Sequence, residues 1–267
     1  MSASRPAPLS SLPGDAARDV RGLLTDVDDT LTRDGRIEAE ALAALHDLRS
    51  AGVPVIAVTG RPMGWSQDFA ATWPLEAIVA ENGAVALFVD EGRLVTEYAQ
   101  DESTRAANAV RLRAVAERVL REVPGSTLAR DSAGRVTDIA IDHSEFAHLE
   151  PAQIARVVAV MRAAGMNATV SSIHVNGWYG EHDKLSGARW IVDRRLGLDL
   201  DTETANWVYV GDSTNDQQMF GHFPLSVGVA NLMHFADRLT VWPAYLTTGE
   251  RGAGFAEVAR RLIEARR

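Results

Sequence analysis

Two short stretches of the sequence concentrate carboxylates, Asp26-Val27-Asp28-Asp29-Thr30 and Gly211-Asp212-Ser213-Thr214-Asn215-Asp216, and a third, Thr59-Gly60-Arg61-Pro62, sets a hydroxyl and a guanidinium around a turn glycine. Each follows an apolar run, at 22–25, 206–210 and 53–58, of the kind that forms a strand buried on both faces of a sheet. In open parallel α/β sheets ligands bind beyond the carboxyl ends of the strands, so the three stretches are expected to converge there. Carboxylates crowded in that way repel one another unless a cation joins them. A hard divalent ion that prefers oxygen ligands, Mg²⁺, is the cofactor this pattern calls for. The basic residues add a second signal, for 27 of them comprise 26 arginines and a single lysine, Lys184. A compact ammonium fits where a planar guanidinium does not.

The elements that must position these residues can be read from periodicity. A helix over 37–51, with Ala41, Leu45 and Leu48 at helical spacing and Gly52 as its stop, joins the first two runs into a βαβ unit. A third strand over 77–81 ends in Asn82-Gly83. The rhythm then changes to a hairpin (85–89 and 93–98), a helix (102–122), strands (127–130, 135–142), a helix (151–164) and strands within 167–178. From Asp183 the βα pattern resumes, with a helix at 184–196, strands at 206–211 and 225–229, a further strand over 240–242 and a closing helix at 254–266. The expected fold is α/β, a doubly wound parallel sheet with an inserted α+β unit. The expected organisation is a flexible tail at 1–19, a core at 20–84 and 181–267, and an insert at 85–180.

Composition narrows the function classes. Among the 267 residues 46% are hydrophobic and 24% charged, ordinary globular proportions. A formal charge of −9 gives no field that attracts nucleic acid or anionic lipid. The absence of cysteine removes disulfides, thiolate metal sites, iron–sulfur clusters and a cysteine nucleophile. No apolar run approaches the roughly 18 residues of a membrane span, and the N-terminus has no apolar signal core. A cytoplasmic protein without nucleic-acid or membrane partners is expected.

The order Asp-x-Asp-x-Thr at 26–30, Thr-Gly-Arg-Pro at 59–62, a lysine at 184 and Gly-Asp-x-x-Asn-Asp at 211–216 resembles the haloacid dehalogenase superfamily. Asn82-Gly83-Ala84 and the segment inserted after it resemble the Cof-type, class IIB phosphatases, which include sugar-phosphate phosphatases. Asp29 departs from the pattern, since Cof-type members usually place glycine there. The resemblance covers nearly all the chain from about residue 22. It implies catalytic roles for Asp26, Asp28, Thr59 and Lys184. Asp26 would be the nucleophile that becomes an aspartyl-phosphate, and Asp28 would protonate the leaving alcohol and then activate water. Mg²⁺ would be held by Asp26, the main-chain carbonyl of Asp28, and Asp212. Thr59 and Gly60 would face the phosphoryl group, and Asn215 and Asp216 would order the metal shell or Lys184.

The expected substrate is a small phosphorylated metabolite, a sugar or sugar acid. Recognition would come from Arg61 and Asn82 at the junction and from His174, Asn176 and Tyr179 in the insert, where aromatic faces and polar edges suit a sugar ring. Three other readings stand beside a phosphatase. One is a phosphomannomutase-like phosphosugar mutase, another a phospho-acceptor module of the receiver kind, and the third a sugar-binding descendant without catalysis.

Overall fold

The computed structural model describes residues 5–267. Strands Gly22–Thr25, Val55–Val58, Ala77–Ala80, Trp207–Gly211 and Leu225–Gly228 are short and wholly buried, as their apolar runs require. They lie parallel at the centre of a nine-stranded sheet. Its order runs Ala7–Pro8, Tyr245–Leu246, Leu225–Gly228, Trp207–Gly211, Gly22–Thr25, Val55–Val58, Ala77–Ala80, Val85–Asp90, Arg93–Tyr98. Successive side chains on a strand point to opposite faces. Leu23, Val55 and Val208 therefore join one core with Leu45 and Leu48 of helix Ala39–Ser50 and Phe255 and Val258 of helix Arg251–Glu264. Leu24, Ile56 and Tyr209 join the opposite core with Ile191 of helix Lys184–Leu196 and Phe220 of helix Gln217–His222.

Parallel register brings the motif ends together. Gly22–Thr25 lies between Trp207–Gly211 and Val55–Val58, with Thr25 level with Val210 on one side and Ala57 on the other. Asp26, Asp212 and Thr59 thus leave three adjacent strands at one edge of the sheet. The turn after Ala77–Ala80 fixes the fourth participant. Glu81, Asn82 and Gly83 all have positive φ, at 49°, 57° and 107°. A Cβ on Gly83 would lie 2.0 Å from the Asp183 carbonyl oxygen, so only glycine lets this turn press against the start of the helix that carries Lys184.

The insert forms a separate antiparallel sheet ordered Asn167–Val170, His174–Trp178, Asp138–Asp142, Thr127–Leu128. Helices Glu102–Glu122 and Pro151–Ala163 cover one face, where Ile139, Ile141 and Val175 meet Val119, Val157 and Met161. Alternation turns Asp138, Asp142, His174 and Asn176 to the other face. Polar contacts with the core show where that face lies: Asn176 donates to the Gly60 carbonyl (3.2 Å), as does Arg135 (2.9 Å).

Three expectations need correction. Of the tail expected at 1–19, residues 1–4 lie outside the described residues, but the rest is packed. Ala7–Pro8 pairs with Tyr245–Leu246, and Leu9, Leu12 and Ala17 are buried. These apolar residues are too sparse to show a period, and their partners come from the far end of the chain. The hairpin at 85–98 belongs to the main sheet, pairing antiparallel with Ala77–Ala80, so the insert begins near residue 101 rather than 85. The last strand is Tyr245–Leu246, not 240–242. At Thr240 and Val241 the backbone N–H groups donate to the Gln217 side chain instead of a ladder.

Candidate active site

Asp26 is 4% exposed, and its backbone N–H donates to the Val210 carbonyl (2.8 Å), which ties the first acidic stretch to the neighbouring strand. Lys184 is buried to the same degree. Its Nζ donates to Asp26 Oδ1 at 2.6 Å and to Asp216 Oδ1 at 2.7 Å. Asp216 is saturated, since Tyr209 also donates to Oδ1, and the N–H groups of Asp212 and Ser213 both reach Oδ2 at 3.0 Å. Its carboxylate therefore orders the loop and the lysine. Asn215 stays within the same loop, its Oδ1 accepting from the Ser213 hydroxyl. Thr59 is fully buried, with its Oγ1 accepting from the Arg61 N–H (3.0 Å), and its own N–H reaches the Val79 carbonyl.

Carboxylate oxygens of Asp26, Asp212 and Asp216 all lie within 4.8 Å of one another. Asp212 is 1% exposed, and its Oδ1 has no hydrogen-bond partner among the described residues, while Oδ2 accepts one bond from Asn231 Nδ2 at 3.3 Å. Burial pushes the Asp26 carboxyl up to about 8, against the pull of the Lys184 ammonium and with Asp216 and Asp28 adding to the rise. Burial, reinforced by Asp26 and Asp216, holds Asp212 well above the usual carboxylate range. Burial opposes the charge on Lys184, but Asp216 and Asp26 outweigh it and raise its pKa. One ammonium does not balance three buried carboxylates. An orphaned oxygen in an all-oxygen donor set is what a hard cation would satisfy, so the residues present fit Mg²⁺.

Around this cluster the structure places the remaining expected residues unevenly. Arg61 is 4% exposed and joins Asp28 by Nε, at 2.8 and 3.0 Å from its two oxygens. Asn82 and Asn176 both donate to Asp138 Oδ2, at 3.3 and 3.2 Å, in the contact between insert and core. His174 contacts Glu145 through Nε2 at 2.9 Å. Tyr179 is not brought to the site. It packs among the helices of the insert, its hydroxyl donating to the Ala164 carbonyl and the Arg111 guanidinium lying 3.6 Å from its ring. A cavity of about 380 Å³ opens beside Asp28 instead, lined by Arg61 and Arg251 from the core and by Glu145, Phe146 and Ser172 from the insert.

Four residues of the site lie outside the motifs. Tyr209 sits within strand Trp207–Gly211, just before Asp212, and is hidden by its apolar surroundings. Asn231, which bridges Asp212 and the Asp29 carbonyl, follows strand Leu225–Gly228 closely, so the rule that places polar groups beyond strand ends could have found it. Arg251 pairs with Asp29 at 2.7 Å and has no local signal. Glu81 is fully buried, and it accepts from the N–H groups of Met63, Val136 and Thr137 and from the Thr137 hydroxyl, which joins the core to the insert.

A mostly parallel sheet with aspartates leaving adjacent strands, a lysine between them and an α+β cap over the strand ends defines a Rossmann-like enzyme core with an inserted cap. Residues 23–110 match the family model of the haloacid dehalogenase-like hydrolases. The chain is 27% identical over 250 residues to a phosphoglycolate phosphatase of Methanothermobacter thermautotrophicus, an alignment that covers 91% of this chain and 99% of that one. Among solved structures, the C-terminal domain of trehalose-6-phosphate phosphatase from C. albicans superposes with a TM-score of 0.67 at 13% identity, covering 99% of each chain. The sucrose-phosphatase of Synechocystis sp. PCC6803, in complex with sucrose and phosphate, superposes with a TM-score of 0.63 at 16% identity, covering 92% of this chain and 98% of that one. At these identities the two structures speak for the shared fold.

Proposed function

We propose that the protein is a Mg²⁺-dependent phosphomonoester hydrolase that works through a phosphorylated Asp26, on a small phosphorylated sugar or sugar acid. The observation that carries this reading is the buried Asp26 carboxylate, held by Lys184 beside the orphaned oxygen of Asp212. Asp26 and Asp212, with the main-chain carbonyl of Asp28, would hold the ion. Bound there, Mg²⁺ supplies positive charge that offsets the repulsion between carboxylate and phosphate.

Asp26 attacks phosphorus in line, forming an oxygen–phosphorus bond as the bond to the alcohol oxygen breaks. Lys184, fixed by Asp216, keeps the attacking carboxylate oriented and its charge partly neutralised. An alcohol leaves poorly as alkoxide, so Asp28 gives it a proton. Asp28 then takes a proton from the water that attacks phosphorus, and Asp26 and inorganic phosphate are released. Thr59 lies at the neighbouring strand end, where its hydroxyl can reach a phosphoryl oxygen. The phosphatase names of the relatives agree with this chemistry.

Phosphate release from a panel of phosphorylated sugars, sugar acids and phosphoglycolate, with Mg²⁺ and again with excess EDTA, tests the reading. The expected result is turnover of some members that stops on chelation and returns with Mg²⁺. Full activity in EDTA would remove the metal from the mechanism, and no release from any ester would remove the hydrolase.

A further inference from the structure

The Arg61 guanidinium is shared between the two halves of the molecule. Besides Asp28 on the core, Nη1 donates to Asp131 Oδ2 at 3.2 Å and Nη2 to Glu145 Oε1 at 2.8 Å, both carboxylates of the cap. Neither cap residue is loosely placed. Asp131 also accepts from Arg135, which is 2% exposed at its side chain, and Glu145 contacts His174 through its second oxygen. The Glu145 loop is fixed in turn by Asp142, whose carboxylate accepts from the consecutive N–H groups of Ser144, Glu145, Phe146 and Ala147.

A guanidinium is planar, with its donors in a rigid fork, so partners on two edges set its plane and its position. Asp28 alone engages only Nε. The cap carboxylates occupy the outer Nη groups and so fix the edge that faces Asp28. Nε reaches both Asp28 oxygens, so Arg61 holds the carboxylate from one side, and Asp28 also lines the cavity. All these partners meet only when the cap lies against the core.

We infer that Asp131 and Glu145 are positioning residues which act through Arg61 to orient the Asp28 carboxylate, so that docking of the cap completes the proton-transfer geometry. This rests on the hydrolase reading above. In the step concerned, the proton on Asp28 passes to the leaving oxygen as the phosphorus–oxygen bond breaks. A well-placed acid contributes roughly 10²–10⁴-fold to such a step, and an ill-placed one gives back part of that.

The test compares Asp131→Asn and Glu145→Gln with wild type on phenyl phosphate and p-nitrophenyl phosphate, two esters of similar size that differ in how much their leaving groups need a proton. For each variant kcat on phenyl phosphate is expected to fall about tenfold or more, kcat on p-nitrophenyl phosphate less than about threefold, and both KM values to stay within about twofold. Circular dichroism and thermal unfolding check that the fold is kept, and if one variant does not fold the other carries the test. Equal losses on both esters, or no loss on either, would overturn the inference while leaving the hydrolase reading intact. If wild type with Mg²⁺ released phosphate from neither ester nor from any member of the panel above, the hydrolase reading itself would fail and take the inference with it.

Discussion

Replacing Lys184 by methionine removes the only lysine in the sequence and keeps most of its side-chain volume. Two short contacts are lost, at 2.6 Å to Asp26 and 2.7 Å to Asp216, and neither carboxylate can turn to water because the site is closed. Breaking a buried ion pair by deleting one partner costs about 3–5 kcal/mol. At roughly 2–4 °C per kcal/mol for a chain of this size, the melting temperature should drop by about 6–20 °C near neutral pH. Without the ammonium, burial raises Asp26 still further above the value of about 8 it has beside Lys184, so the gap to wild type should narrow as the pH is lowered from above 8. Added Mg²⁺ should narrow it as well to the extent that the variant, with one more uncompensated carboxylate, binds the ion more tightly than wild type, by about 1.4 kcal/mol for each tenfold difference in dissociation constant at saturation. Turnover should fall at least about a hundredfold, the loss typical when one preorganised electrostatic partner is removed. Circular dichroism melts at several pH values, with and without Mg²⁺, and phosphate release provide the assay. A variant that melts with wild type and turns over within a few-fold of it would refute the place given to Lys184.

Mg²⁺ should raise the melting temperature of the wild-type protein and Asp212→Asn should abolish that rise; retention of the full rise would place the ion elsewhere. Burial, with Asp138 adding, pushes Glu81 up to about 7, so the folded chain holds a proton the unfolded chain has released. Its contribution therefore falls as pH rises from about 4.5 to about 7, by roughly 3 kcal/mol; Glu81→Gln should flatten that part of the pH–stability curve from urea denaturation, and an unchanged slope would contradict the assignment. Deleting residues 1–12 should lower stability by several kcal/mol through the loss of buried Leu9 and Leu12, whereas an unchanged melt would restore the flexible-tail reading.

The residues that were legible in the sequence are those whose signal is local. Asp26, Thr59 and Asp212 each follow an apolar run directly, and an apolar run ending in a polar group marks the carboxyl end of a buried strand. Lys184 stands out against 26 arginines. What escaped depends on partners distant in sequence. The 85–98 hairpin reads the same whichever sheet it joins, because periodicity specifies a strand and not its neighbour. Alternation puts His174 and Asn176 on one face of the cap sheet, but whether that face meets substrate or core is decided by Gly60, Asp138 and Glu145. Tyr179 looked like a sugar platform, yet it follows the last strand residue, Trp178, and falls among the cap helices. Arg251 and Asn231 reach Asp29 from more than two hundred residues away.

The central claim, that Asp26 carries the phosphoryl group, is tested most directly by acid-quenching the enzyme with Mg²⁺ and a rapidly cleaved ester during steady turnover, then mapping the protein by peptide mass spectrometry. The expected result is one phosphoryl group on the peptide containing Asp26, absent from Asp26→Asn and from samples quenched without substrate. Sustained phosphate release with an unmodified Asp26 peptide, or turnover retained by Asp26→Asn, would contradict it.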